Sequence, residues 1–265
     1  MPELPEVEAL VSRVKPDVTG RKITLVEVLR VGSVKPQTPA EIARLVTGRR
    51  ITDVTRRGKN ILIAVDRGLT VRIHLRLTGE LHTGEAGKFT RVLFHLSGAR
   101  QLVFDDTRVL GRVNVLTETE TAKALEALGP EPLSRDFKPE PFLAAAKRSK
   151  LPAKLFLMSQ KHVAGLGNIY AAEALFHAGI DPRKPIAKVS REKAESLHAA
   201  IRTVLRGAVK SAKIAYNRPG KYKEAAGFRR AVYGREGEPC LRCAAKIRRI
   251  EQAGRSTYFC ARCQR

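Results

Sequence analysis

From the first residues onward, Leu4, Val7, Val11 and Val14 recur at the spacing of one helical face, with Pro2 and Pro5 placed where a first turn tolerates them. The pattern then changes to short runs rich in β-branched residues: Ile23 to Val31, Ile51 to Thr55, Ile61 to Val65 and Leu69 to Leu77. Val92 to Leu96 and Leu102 to Phe104 flank Ser97-Gly98-Ala99-Arg100 and predict a hairpin, and Val113 to Leu116 supplies a last strand. Strands at this spacing, joined by Gly-containing turns, predict an antiparallel sandwich or barrel.

Beyond about residue 118 the period becomes helical. Ala122 to Leu128 predicts a helix that stops at Gly129-Pro130, where a domain boundary is expected. Helices follow over Pro141 to Arg148, Ala153 to Met158, Asn168 to His177 and Ser190 to about Ile214, with Ser190 as an N-cap. The last stretch is β-like again. The expected division is therefore 1–130, 131–235 and 236–265, an α+β chain whose N-terminal part is β and whose middle is helical.

Composition adds a partner class. Fifty Lys+Arg against 26 Asp+Glu give a formal charge of +24, which points to a polyanion, either nucleic acid or an anionic membrane surface. The excess is concentrated: between Arg202 and Arg235 there are ten Lys or Arg against the single acid Glu224, with Tyr216, Tyr222, Phe228 and Tyr233 interleaved. No apolar run approaches the roughly 18 residues of a membrane span. No long basic amphipathic helix with exposed aromatics suggests a membrane surface either. The N-terminus opens on acids rather than a signal-peptide pattern, so an intracellular, cytoplasmic protein is expected.

All four cysteines lie near the C-terminus, as Cys240-x2-Cys243 and Cys260-x2-Cys263. A Cys-x2-Cys turn lets two thiolates converge on one ion, and two turns complete the tetrahedral four-sulfur shell favoured by zinc. Iron fits this ligand set too, and two disulfides are the competing reading, disfavoured in an intracellular protein. One structural zinc is expected. Its closed shell leaves no open position for catalysis, so its role would be to hold Arg248, Arg249 and Arg255 on a hairpin with little core of its own.

The first residues carry a second candidate chemistry. If Met1 is removed, Pro2 presents a secondary amine that can attack an aldehyde-like sugar carbon and give an iminium. Glu3 beside it can donate a proton to a leaving or ring oxygen, and Glu6, three residues on, shares its helix face. Residue types alone leave open a plainer reading, in which Pro and Glu simply suit a helix N-terminus.

Four ordered motifs favour the chemical reading. Met1-Pro-Glu-Leu-Pro-Glu-Val-Glu8 resembles the opening of the formamidopyrimidine-DNA glycosylase and endonuclease VIII family, and Leu4-Pro5 is closer to the formamidopyrimidine branch. Arg57-Gly58-Lys59 resembles the family's hairpin lysine motif, and Gly165-Leu166-Gly167-Asn168-Ile169-Tyr170 its helix–two-turn–helix signature. Val232-Tyr233-Gly234-Arg235 followed by the four cysteines resembles its C-terminus.

The resemblance implies an N-terminal antiparallel β-sandwich, a helix–two-turn–helix domain and a four-cysteine zinc-finger hairpin, with duplex DNA held between them. It implies Pro2 as nucleophile, Glu3 as the acid at the sugar ring oxygen, Glu6 in support, and Lys59 at the sugar and phosphate. Asn168 and Arg255 would contact phosphates, with Lys161 as a further one. His74-Leu75-Arg76-Leu77-Thr78-Gly79 and Asp106-Thr107-Arg108-Val109-Leu110-Gly111 resemble the two elements that fill the gap left by an extruded base. His74 would lie against DNA, and Leu77, Arg108 and Leu110 would form the wedge; the family's usual trio is methionine, arginine and phenylalanine, so two of the three positions depart. The plainer reading of the two leucines is strand-end core.

The activity implied is excision of oxidised bases from duplex DNA and cleavage of the resulting abasic site by β,δ-elimination, performed by a monomer. The alternative is a non-catalytic nucleic-acid-binding protein on the same scaffold. Ser211 to Gly227, which would cap the base, lacks the family's threonine-rich entry, so the preferred lesion is not legible.

Overall fold

A computed structural model describes residues 2–216 and 227–265. Met1 and most of the proposed base-capping segment, with Tyr222 in it, lie outside the described residues. The chain divides into two compact units, one of residues 1–127 with 212–226 and one of residues 128–211 with 227–265.

The first unit opens with α1 (Leu4–Val18), whose buried face carries Leu4, Val7, Leu10, Val11, Val14 and Val18. The helix starts where Glu6 reaches back three residues to accept the Glu3 backbone N–H at 2.8 Å. Two four-stranded antiparallel sheets follow. One has the order β1 (Ile23–Val28), β6 (Thr90–Leu96), β7 (Arg100–Asp106), β5 (Gly79–Thr83); the other runs β2 (Ile51–Arg57), β3 (Asn60–Val65), β4 (Leu69–His74), β8 (Arg112–Thr117). Inward side chains of both, including Ile23, Phe94, Phe104, Ile61, Ile73 and Val113, form one core with α1. Ala212 and Tyr216 belong to that core as well.

Several elements differ from the sequence expectation. β1 ends at Val28, and Val31–Ser33 forms a short 3-10 turn. β4 stops at His74 instead of Leu77, because Arg76 takes a left-handed backbone conformation (φ 54°) and turns the chain. Neither α2 (Pro39–Val46) nor β5 is among the expected elements; α2 is announced by a Thr38/Glu41 capping box. α3 (Glu118–Glu126) begins four residues before the apolar run, at a second capping box made by Thr117 and Glu120.

In the second unit, α4 (Pro139–Arg148), α5 (Ala153–Met158), α6 (Asn168–His177) and α7 (Arg191–Tyr216) follow the predicted order, α7 continuing into the first unit's segment from residue 212. Ser190 Oγ accepts the Lys193 N–H at 3.3 Å, as expected of an N-cap. A hairpin of β9 (Arg248–Gln252) and β10 (Arg255–Phe259) closes the chain. The α+β class and the order of sandwich, helices and cysteine hairpin agree with the sequence. Among the described residues no helix is long and apolar enough to cross a membrane.

Candidate active site and DNA-binding elements

Strand register gathers the candidate residues of the first unit at one end of the sandwich. Asn60 pairs with His74 and His74 with Arg112, so the β2–β3 turn, the turn after β4 and the start of β8 are neighbours. Gly79 pairs with Asp106, which brings the loop of residues 107–111 to the same end. α1 packs on β2 and β3. Arg56 Nε donates to Glu8 Oε2 at 2.9 Å, and Arg56 Nη1 to the Gly58 carbonyl at 3.0 Å. These bonds fix the Gly58-Lys59 turn against the helix whose first residues are the candidate catalytic ones. Gly58 is left-handed (φ 58°), which a glycine adopts without strain.

Pro2, Glu3, Glu6 and Lys59 are all buried, Glu3 to 2% exposure and Glu6 completely. Burying two carboxyl groups at one helix start is costly unless hydrogen bonds compensate. The Glu6 bond to the Glu3 N–H provides part of that compensation. Sequence patterning alone would not place acids inside, since charged residues at a helix start are ordinarily solvated.

His74 accepts the Arg76 backbone N–H on Nδ1 at 3.1 Å. Burial, then the Arg76, Lys59 and Arg72 cations, push its pKa from 6.5 down to about 4, so the ring is neutral at neutral pH. The unfolded chain therefore takes up a proton near pH 6.5 that the folded one refuses until about pH 4, and His74 makes stability fall as pH drops through that window. We expect His74→Gln to remove this part of the pH dependence, measured by urea unfolding at about pH 7 and about pH 5. An identical pH dependence in both proteins would contradict it.

The expected wedge residues occupy two turns. Leu77 is 40% and Leu110 37% exposed, and Arg108 is exposed beside them. They are therefore not strand-end core, the plainer reading of the leucines. The turns are held by a residue the sequence singled out only as part of a motif. Asp106 is fully buried, and its carboxylate accepts the Thr78 hydroxyl and the N–H groups of Arg108 (3.1 Å), Leu110 (2.7 Å) and Gly111 (2.7 Å). Gly111 is obligatory on packing grounds, because an added Cβ would stand 2.5 Å from Phe104 Cζ.

In the second unit, α5 and α6 are joined by a tight loop organised by Gln160. Its Nε2 donates to the Leu166 carbonyl at 2.8 Å and its Oε1 accepts the Gly165 N–H at 2.9 Å. Lys161 is exposed on this loop. Asn168, the first residue of α6, donates from Nδ2 to the Ser256 carbonyl at 3.0 Å, which brings it next to Arg255 on the hairpin. Lys154, fully buried, donates to the same carbonyl at 2.9 Å and to Thr257 Oγ1 at 2.5 Å. Asn168 Oδ1 is buried and has no hydrogen-bond partner among the described residues.

Two residues of this unit escaped the sequence reading. One is Lys154. The other is Glu173, fully buried in α6, whose carboxylate accepts the N–H groups of Ala231 (2.7 Å), Val232 (3.0 Å) and Tyr233 (2.8 Å) and so anchors the chain entering the hairpin. A lone acid in the apolar run Asn-Ile-Tyr-Ala-Ala-Glu-Ala-Leu-Phe was the available signal.

The four cysteines converge. Their Sγ atoms lie within 4.8 Å of one another, with Cys240–Cys263 at 3.9 Å and Cys243–Cys260 at 3.5 Å. A tetrahedral four-sulfur zinc site, with Zn–S near 2.3 Å, has S···S edges of about 3.8 Å. A disulfide needs about 2.05 Å, and all four thiols are free. The cluster therefore fits a metal shell and not two disulfides. Burial raises the Cys240 thiol, but N–H donors from Arg242 and Cys243 bring its pKa from 9.0 down to about 7, whereas burial and the neighbouring thiols push Cys263 up to about 12, so a bound metal would displace protons from the cluster.

A buried-carboxyl helix start at the turn end of a β-sandwich, and a helix–loop–helix unit joined to a four-cysteine hairpin rich in arginine, suit an enzyme that binds nucleic acid. The chain matches the formamidopyrimidine-DNA glycosylase N-terminal domain over residues 1–113, that family's H2TH domain over 128–218, and the zinc finger found in FPG and IleRS over 237–265. It is 40% identical to the formamidopyrimidine-DNA glycosylase of Chloroflexus aurantiacus, covering 100% of this chain and 98% of that protein. It is 37% identical to that of a Ruegeria species, with 100% of both covered. Among solved structures it is similar to Lactococcus lactis Fpg in complex with DNA containing Fapy-dG (TM-score 0.89, 29% identity, 99% of this chain and 100% of that one). A complex of the same enzyme with DNA containing an abasic site is also similar (TM-score 0.90, 28% identity, 99% of each chain). The chain belongs to the formamidopyrimidine-DNA glycosylase family.

Proposed function

We propose that this protein excises oxidised bases from duplex DNA and then cleaves the strand, using the Pro2 amine as nucleophile. The observation that carries this reading is the burial of Pro2, Glu3 and Glu6 at the start of α1, beside the Lys59 turn and at the same end as the exposed leucine turns. The Lactococcus lactis enzyme that it resembles was solved with Fapy-dG and with abasic-site DNA, which supports the same substrate class.

In this reading Glu3 delivers a proton to the deoxyribose ring oxygen while the Pro2 nitrogen bonds to C1′ and the glycosidic bond breaks, the base leaving with its electron pair and taking up a proton. The ring-opened sugar is then linked to Pro2 as an iminium. That cation acidifies C2′–H; loss of this proton expels the 3′ phosphate, and a second elimination expels the 5′ phosphate. Glu6 holds the Glu3 backbone and supports proton transfer at the amine, and Lys59 neutralises the phosphate next to the lesion. His74, neutral and facing the same turn, would line the DNA. Leu77, Arg108 and Leu110 fill the vacated stack, the leucines by apolar insertion and Arg108 by pairing with the orphaned base.

Asn168, Lys161 and Arg255 bind phosphates, which fix position without reading sequence. α6 begins at Asn168, and the positive end of its dipole suits a phosphate that also meets Arg255. One zinc ion in the Cys240, Cys243, Cys260, Cys263 shell supplies no chemistry to the reaction and holds the Arg255 hairpin in shape. The three functional parts correspond to residues 1–130, 131–235 and 236–265, and the protein acts as a monomer on chromosomal DNA in the cytoplasm.

The test is borohydride reduction of the protein mixed with an abasic-site duplex. We expect a covalent protein–DNA adduct whose peptide map places the sugar on a Pro2 N-terminus from which Met1 has been removed. No adduct at concentrations that bind the duplex would favour the non-catalytic scaffold.

A further inference from the structure

The two turns that carry the exposed leucines are separate crossings between the sheets, β4 to β5 and β7 to β8, yet one side chain holds both. Asp106 ends β7, where it pairs with Gly79, the residue that follows the first turn. One carboxylate oxygen accepts the Thr78 hydroxyl of that turn and the Arg108 N–H of the other; the second oxygen accepts the N–H groups of Leu110 and Gly111. The main chain of Asp106 is fixed in turn, its carbonyl accepting Arg91 Nε at 2.6 Å and its N–H donating to the Phe89 carbonyl at 2.9 Å.

Both turns need such support. Arg76 and Val109 are each left-handed, with φ of 54° and 56°, conformations a side-chain-bearing residue holds only when its surroundings impose them. Each turn presents an apolar side chain to solvent, Leu77 at 40% and Leu110 at 37% exposure, an arrangement that contributes nothing to the core. A fully buried carboxylate with four donors, devoted entirely to two exposed turns, is costly to desolvate, and what it contributes in return is rigidity at their tips.

We propose that Asp106 is the positioning residue of base extrusion: it locks the two turns into one preorganised wedge, so that Leu77, Arg108 and Leu110 enter the stack together. The inference rests on the wedge reading given under Proposed function. Asp106 touches no substrate; it acts through the turns. Because the leucines offer no aromatic stacking to the opened base step, their insertion depends the more on being held in place.

Asp106→Asn keeps the shape of the side chain but replaces one acceptor oxygen with an NH2 group, which then faces donors whichever way the amide is turned. Extrusion is read by the fluorescence of 2-aminopurine placed next to a stable abasic-site analogue, which needs no bond cleavage. We expect the extrusion rate to fall about 10- to 100-fold, the usual result of misplacing a positioned group by about 1 Å. Affinity for undamaged duplex, carried by phosphate contacts, should stay within about twofold. Thr78→Val removes one donor of the four and should lower the rate less, in the same direction.

An unchanged extrusion rate in the folded Asp106→Asn protein would overturn the proposal, as would an equal loss of affinity for damaged and undamaged duplex. If Asp106→Asn does not fold, Thr78→Val decides, and a wild-type rate there would overturn it. Absence of the borohydride adduct in the wild type would sink the lyase reading alone, since the fluorescence signal reports on Asp106 independently.

Discussion

Glu3→Gln should slow base release from an oxidised-base duplex by about 10²–10⁴-fold, the range supplied by a positioned general acid. The same variant should form the borohydride adduct with a preformed abasic site far more nearly at the wild-type rate. The two substrates separate because the proton from Glu3 is needed to open the sugar while the base is still attached. An abasic sugar already exchanges with its open aldehyde form. Glutamine preserves the length and hydrogen-bonding shape of Glu3 and keeps an oxygen at the start of α1. The Glu6 bond at 2.8 Å is made to the residue 3 backbone and not to its side chain, so it survives the change. The loss of capping should therefore cost no more than about 1 kcal/mol, visible as a shift of a few degrees in melting temperature. Equal slowing on both substrates would show that Glu3 only shapes the pocket, and normal base release would assign the proton to another group.

How far such a site can be read in advance depends on what holds each piece. α1 is legible because one apolar stripe buries against one core, and the four cysteines because two Cys-x2-Cys turns have few other uses. The expected β4 runs too far because Leu69, Val71, Ile73, Leu75 and Leu77 keep a strand's alternation beyond His74, while nothing in the sequence marks Arg76 as left-handed. That error matters functionally, since it hides the turn that exposes Leu77. α2 is short and amphipathic between strands, and β5 is too polar to stand out; only its pairing with β7 makes it a strand. Lys154, Glu173 and Asp106 share a different invisibility. Each is a fully buried charge whose partners are backbone or hydroxyl groups distant in sequence or on other elements, so its role exists only once the chain has folded. The family motifs supplied Pro2, Lys59 and Asn168 as candidates; the residues that hold their surroundings in place carry no such flag.

Stripping the metal should abolish specific DNA binding while leaving the β-sandwich folded. The four-cysteine hairpin contributes Cys240, Ile247 and Cys260 to a small cluster with Ala172, Phe176, Ala231 and Val232, too little apolar surface to fold the segment unaided. Binding of a structural zinc is worth roughly 10–16 kcal/mol in isolated fingers, so its removal overwhelms what such a cluster can supply. The consequences should travel along specific contacts. Arg242 donates to the Phe176 and His177 carbonyls at the end of α6 (3.0 and 3.2 Å), and Gln264 Nε2 to the Ile180 carbonyl at 2.9 Å; both would be released with the hairpin. The Ser256 carbonyl would leave Lys154 and Asn168, stranding a buried ammonium and removing Arg255 from its place beside Asn168. We expect a strong chelator, or Cys243→Ser, to weaken binding to an abasic-site duplex by at least about 100-fold, the effect of losing two or more charge-assisted phosphate contacts. Far-UV circular dichroism should retain the sandwich signal, and the chelator should release zinc in proportion to the binding lost. Full DNA affinity in metal-free protein would contradict a structural role for the cluster. Collapse of the sandwich along with the hairpin would mean that the metal supports more of the chain than the α6 contacts imply.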